Sequence, residues 1–154
     1  MLRTALAFGQ RDAAAALVRR GASVDLVSAA GLGLRDEAAR LLAGSDAPSR
    51  HFALAQAAQH GHADVVALLL DAGEDPDRYN PKGAHAHSTP LHQAALAGHL
   101  EVVRLLVERG ARIDLRDRIH SGTPLGWAEY GGQSAVAAYL RSKEDSSGKF
   151  RSKT

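Results

Sequence analysis

The chain has no cysteine, which excludes disulfides and thiolate metal sites. It also lacks an excess of either charge: 19 basic and 17 acidic residues leave a formal charge of +2. The sequence pI of ≈ 9.2 exaggerates the basicity, because these groups nearly cancel at neutral pH. Nucleic-acid binding needs a clustered basic footprint, so no nucleic-acid partner is expected. Long apolar runs are missing as well. The longest, such as residues 65–70, fall far short of the roughly 20 residues that a membrane-crossing helix needs, and no membrane partner is expected. Met1 leads at once into helix-patterned sequence rather than a secretory signal, which makes a cytoplasmic setting the expectation. There is no cysteine nucleophile, no G-x-S-x-G elbow and no phosphate-binding glycine loop. No spacing joins the Ser, His and Asp residues into a triad. The chain is therefore expected not to be an enzyme and to carry no cofactor.

What is there is a repeated pattern. Residues 88–114 read as one helix–turn–helix unit. Thr89 suits a helix cap and Pro90 the first helical position, where its missing N–H would be unpaired anyway. Leu91, Ala94 and Ala95 fall at i, i+3, i+4, one apolar stripe. Gly98 tolerates the left-handed conformation that stops the helix. A second stripe, Val102, Val103, Leu105 and Leu106, ends at Gly110. Two short helices with alanines at their contact cannot bury their apolar faces alone, so copies are required on either side. They exist: Thr123-Pro124-Leu125 repeats Thr89-Pro90-Leu91 after 34 residues, and Leu54 to His62 matches Leu91 to His99 after 37.

Thr89-Pro90-Leu91-His92-Gln93-Ala94, followed by Gly98-His99 and Val102-Val103, resembles the T-P-L-H-x-A signature of the ankyrin repeat family. The resemblance implies an all-α solenoid of about five helix–turn–helix units, near 1–22, 23–51, 52–88, 89–122 and 123–142. The glycines that end each first helix, Gly9, Gly33, Gly61, Gly98 and Gly132, serve as a ruler. Their spacings are 24, 28, 37 and 34, so β-hairpin-like fingers are expected only between units 3 and 4 and units 4 and 5. Residues 44–51 read as a loop by composition. The tail, 143–154, is Ser/Lys-rich and is expected to be disordered. Leu2, Leu6 and Phe8 open the array without the polar face of a terminal repeat. This implies a fragment, or an end covered by another chain, with self-association through this bare unit among the possibilities.

The resemblance makes Thr89, His92, His62 and His99 structural, satisfying turn backbone. It makes the chain a protein-binding module whose partner lies in the concave groove of repeats 3–5. In such arrays the eighth and eleventh repeat positions face that groove. Here they are Gln56, Gln93 and Trp127, and Gln59, Leu96 and Tyr130. Trp127 and Tyr130 are the expected anchors, because aromatic residues dominate interface hot spots. The alternative for these two is that they cover the exposed end of the last unit. Arg78, Tyr79, Arg118 and His120 are expected finger contacts. Glu129 stands where Ala95 stands one unit earlier, and its carboxylate needs water or a partner such as Arg118 or His120. A second reading is a small-molecule or metal site between finger 74–88 and repeat 5, using His85, His87, Trp127 and Glu129. Two histidines in H-x-H spacing share a side only if the finger is extended; with His92, His120 or Asp117 nearby a metal site is conceivable, but without a third assured ligand they remain weak metal candidates.

Overall fold

The computed structural model describes residues 11–151, and the side chains of Asp12 and of residues 16–146. The expected first helix of unit one, with Leu2, Leu6, Phe8 and Gly9, lies outside the described residues. The described chain is helical with no strand. The elements are α1 (Arg11–Arg19), α2 (Leu26–Leu32), α3 (Arg35–Leu42), α4 (Ala47–His60), α5 (Ala63–Asp71), α6 (Pro90–Ala97), α7 (Leu100–Glu108), α8 (Pro124–Tyr130) and α9 (Ser134–Arg151). The helices stack in two layers. First helices α2, α4, α6 and α8 pack each on the next, and second helices α3, α5, α7 and α9 do the same, with each pair also packed internally.

Small residues explain how close the first-helix layer can be. Ala29, Ala30, Ala53, Ala57, Ala58, Ala94, Ala95 and Ala128 are fully buried, and an alanine loses little side-chain entropy on burial. Branched residues of the second helices fill the space between layers: Val65, Val66 and Leu69 in α5, Val102, Val103 and Leu106 in α7, Val136 and Leu140 in α9. No single centre holds the fold; each pair is supported by its neighbours.

The glycine ruler corresponds to backbone geometry. Gly33, Gly61, Gly98 and Gly132 lie at φ +71 to +80, and Gly21, Gly73 and Gly110 at φ +90 to +97. The residues after Gly61, Gly98 and Gly132 each reach back one unit. His62 Nε2 donates to Gly31 O and His99 Nε2 to Gln59 O, both at 3.0 Å, and Gln133 Nε2 donates to Leu96 O at 3.1 Å. These bonds satisfy carbonyls that the end of a helix leaves open. The side chains lie flat on the preceding glycine: a Cβ at Gly61 would sit 2.6 Å from His99 Nδ1, and one at Gly98 2.3 Å from Gln133 Oε1. His62 and His99 are staples between units.

Two expectations are corrected. Residues 44–51 are not a loop. Asp46 caps α4 by accepting from Ser49 N at 2.8 Å, and Pro48 lies in the first turn. Turn-like composition here is helix-start chemistry. The extra turn places His51, which donates from Nε2 to Tyr79 O at 2.8 Å and so holds the base of the first finger. The tail is not without structure from Lys143 onward, since α9 runs on to Arg151. Few apolar residues argue against burial, but Ser, Lys, Glu and Asp do not break a helix already nucleated by the packed turns of α9. Lys143 adds a contact, its ammonium 5.4 Å from the Tyr139 ring centre.

Candidate functional site

The long connections 72–89 and 109–123 fold back as turns rather than as paired strands. Each is closed at its base by one backbone bond: Asn80 N to Ser88 O at 2.8 Å, and Asp117 N to Gly122 O at 2.9 Å. Asn80 and Asp117 stand at the same place, seven residues after the left-handed Gly73 and Gly110. The two fingers are tied together. Arg118 N donates to His87 O at 2.8 Å, Arg112 N to Asp77 Oδ1 at 2.8 Å, and Tyr79 OH to Arg116 O at 2.6 Å. The Arg118 guanidinium lies over the Tyr79 ring at 3.9 Å, a cation–π contact.

Asp117 organises the second finger. It is 2% exposed. Its Oδ1 accepts from Ile119 N at 2.9 Å and His120 N at 2.7 Å, and its Oδ2 from Gly122 N at 2.7 Å and Trp127 Nε1 at 2.9 Å. Burial pushes its carboxyl up. The hydrogen bonds from His120, Trp127, Ile119 and Gly122 outweigh that and hold it well below the usual carboxylate range. A residue with four donors aimed at it fixes both the finger and the plane of the indole.

His92 fixes the other edge. Its Nδ1 accepts from Thr89 N at 3.2 Å and lies 2.8 Å from Thr89 Oγ1, so its Nε2 carries the hydrogen donated to Gly122 O at 3.0 Å. Burial lowers its pKa, only partly opposed by the bond to Gly122 and the charge of Asp117. His92 therefore acts as a neutral strut from helix to finger, as the resemblance implies.

Between these parts lies a cavity of ≈ 470 Å³, lined by His87, Leu96, His120, Gly122, Gly126, Trp127 and Tyr130. Trp127 is gripped by two imidazoles, with ring centres 5.1 Å from His92 and 5.6 Å from His87. Tyr130 stands on the rim, 90% exposed. The profile of three consecutive ankyrin repeats matches the sequence twice, over residues 2–117 and 54–149. The chain belongs to the ankyrin repeat family. Ankyrin repeats are generally protein–protein interaction modules. No curated protein matches the chain. No helix among the described residues is long and apolar enough to cross a membrane.

The cavity brings together five of the residues singled out in the sequence: His87, Leu96, His120, Trp127 and Tyr130. Other ankyrin positions fall elsewhere. Gln56 is fully buried and Gln93 is 6% exposed, its Nε2 donating to Ser88 Oγ at 3.0 Å. Neither presents its amide to a partner, which corrects the expectation for both. Gln59 is half-buried, with Nε2 3.5 Å from His85 Nε2. Arg78 and Arg118 are exposed on the fingers and Tyr79 is half-buried beneath Arg118.

Glu129 pairs with neither Arg118 nor His120. Its Oε1 accepts from Arg141 Nη2 of α9 at 2.6 Å, and both side chains are about half exposed. It departs from alanine because no further pair packs on that side of α8 among the described residues. Trp127 does not cover this end either, since it faces the preceding finger. His85 and His87 do not share one side of an extended finger. His85 lies at φ +62, a turn closed by Ser88 N to His85 O at 3.0 Å, and the two rings stand 6.2 Å apart and perpendicular. The described residues contain no cluster of three or more His, Asp or Glu able to hold a metal. Sequence reasoning missed Asp117 as organiser and Ile119, 62% exposed beside the cavity-lining His120. The signal for Asp117 was its place seven residues past Gly110, followed by a glycine and the T-P-L turn.

Proposed function

We propose that the chain is a non-catalytic protein-binding module, that its setting is cytoplasmic, and that a segment of another protein lies in the concave groove of repeats 3–5, anchored at the cavity between Leu96 and Trp127. The observation that carries this is Tyr130. It is 90% exposed, makes no contact the fold depends on, and stands on the rim of an apolar cavity. Exposed aromatic area beside a concave, partly apolar surface is the composition of an interface hot spot. Arg118 and His120 would flank the segment from the second finger, Arg78 and Tyr79 from the first, and Gln59 would meet its far end. The test is an affinity pull-down with the intact chain and with Tyr130→Ala. The expected result is loss of the captured protein with no change in melting midpoint. Equal capture by the variant refutes the placement.

A second reading has its own support. A volume of ≈ 470 Å³ lies within the range of small-molecule sites, and the cavity sits between the His-bearing finger and the last pair. A ligand held there raises the melting midpoint, and increasingly so as its concentration exceeds its dissociation constant. A metabolite panel that leaves the midpoint unmoved removes this reading.

A further inference from the structure

We infer that the segment bound in this groove is acidic and carries one bulky apolar side chain, seated between Leu96 and Trp127, and that Gly126 sets the size of that socket. This rests on the groove-binding proposal and specifies its partner.

Gly126 is the first observation. Helix α8 begins Thr123-Pro124-Leu125-Gly126 where α6 begins Thr89-Pro90-Leu91-His92. Glycine is the poorest helix former after proline, so its presence inside α8 needs a reason. The backbone gives none, since Gly126 is not among the positive-φ residues. Sterics give none, since a Cβ there would meet only Thr123 Oγ1, at 3.7 Å. The other cavity glycine is different: a Cβ at Gly122 would sit 3.0 Å from both Asp117 Oδ2 and the Trp127 ring. The finger itself requires Gly122. What Gly126 provides is clearance, because it lines the cavity and leaves that stretch of wall without a side chain. With Leu96 and Trp127 as walls and Tyr130 at the rim, the cleared space is suited to an aromatic or leucine side chain.

Charge is the second, independent observation. The acids of this corner already accept hydrogen bonds within the fold: Asp117 from four uncharged donors, Glu129 from Arg141, Asp114 from Arg112 at 3.1 Å, Asp77 from the Arg112 N–H at 2.8 Å and Asp75 from the Asp77 N–H at 2.9 Å. Three arginines form no ion pair in return. Arg118 stacks on Tyr79, Arg116 donates to Ser121 O at 2.8 Å, and Arg78 is exposed; none has an acidic partner among the described residues. A guanidinium stacked on a ring keeps its N–H edge free for a carboxylate. Arg118 is fastened through its own N–H to His87 O, so it rises beside the cavity wall. His87 and His120 complete a lining with no unpaired negative group.

Trp127 is the chain's one tryptophan, so its emission reports on occupancy directly. The probes are three blocked pentapeptides, Glu-Glu-Phe-Glu-Glu, Glu-Glu-Ala-Glu-Glu and Lys-Lys-Phe-Lys-Lys, titrated into the full chain at low salt. The acidic phenylalanine peptide is expected to change the emission saturably. The alanine and lysine peptides are each expected to bind at least about tenfold more weakly, the latter because like charges repel at close range. Gly126→Leu is expected to weaken the acidic phenylalanine peptide by at least about tenfold, with the melting midpoint unchanged or raised. Gly126→Ala, which the 3.7 Å clearance accommodates, should give a smaller loss and keeps the test valid if leucine disturbs α8. Arg118→Glu should erase the preference for the acidic peptide. Equal binding of the alanine or lysine peptide, full affinity in both Gly126 variants, or no saturable change with the acidic phenylalanine peptide overturns the inference. Binding of the lysine peptide that is lost in Tyr130→Ala would overturn it while leaving groove binding intact.

Discussion

Removing the Asp117 carboxylate should unfasten the last helix pair before it unfolds the rest. In Asp117→Ala, four donors lose their acceptor: three backbone N–H groups of the finger and the indole of Trp127. A hydrogen bond to a charged group contributes about 1.5–3 kcal/mol net, but a surface finger can reopen and let water replace part of that. About 3–5 kcal/mol is the expected loss, toward the upper end for a single substitution. Asp117→Asn keeps one oxygen and sets an N–H₂ against two donors, so about 2–3 kcal/mol is expected.

Because units in such an array are coupled mainly to their neighbours, the loss should appear first at α8 and α9. Urea titrations followed by Trp127 emission and by far-UV circular dichroism separate the local from the global event. The Trp127 transition should move to lower urea and run ahead of the dichroism transition. The acid dependence carries the same signature. The folded carboxyl is depressed below its unfolded value, so its contribution is fully present above about pH 4 and is lost as pH falls through the lower folded value. Asp117→Asn should flatten that part of the profile. Coincident transitions in the alanine variant, or a stability within about 0.5 kcal/mol of the parent, the range of unremarkable surface changes, would refute the organising role of Asp117.

Two further outcomes are expected. Gly61→Ala should cost about 2–4 kcal/mol, because the left-handed φ of +80 and a Cβ 2.6 Å from the His99 ring both oppose it; a denaturation midpoint equal to the parent's would remove the stapling role given to His99. His92 and His51 are both shifted down, burial being the largest cause for each, so the folded chain favours their neutral forms. That contribution is present above the unfolded value of about 6.5 and is lost as pH falls through the lower folded values. Denaturation midpoints should therefore decline as pH falls below about 6.5, ahead of any change from Asp117, and His92→Gln should shrink that decline.

The sequence carried the helices well and the surfaces poorly, for a physical reason. Helix ends depend on local chemistry, and a left-handed glycine or a Thr-Pro pair is visible in one or two letters. The glycine ruler therefore survived, and so did the structural roles of His62, His92 and His99. Burial depends on what the neighbouring unit places overhead. Gln56 and Gln93 occupy positions that face the groove in a generic repeat, yet both are buried, Gln93 against Ser88 of the first finger. Composition misled in two segments: residues 44–51, read as a loop although they cap and begin α4, and the polar tail, read as disordered although α9 continues to Arg151. Asp117 was overlooked as the organiser because its place seven residues past Gly110 gains meaning only once the donors around it are known.

The candidate site sits where the constraint of repetition lapses. In α6 the fourth motif residue is His92, which donates to the Gly122 carbonyl of the finger that follows. In α8 no finger follows among the described residues, and the corresponding residue is free of that duty. It is Gly126, and the space released lies next to a tryptophan that Asp117 and two imidazoles hold in place. Glu129 is a second release of the same kind, since Ala95 is small only to admit the next helix. It became a surface ion pair with Arg141, of the kind that contributes about 0–1 kcal/mol. One released position thus became surface and the other became a socket. The difference is that Gly126 lines a cavity whose opposite wall, the finger that Asp117 organises, already stood rigid.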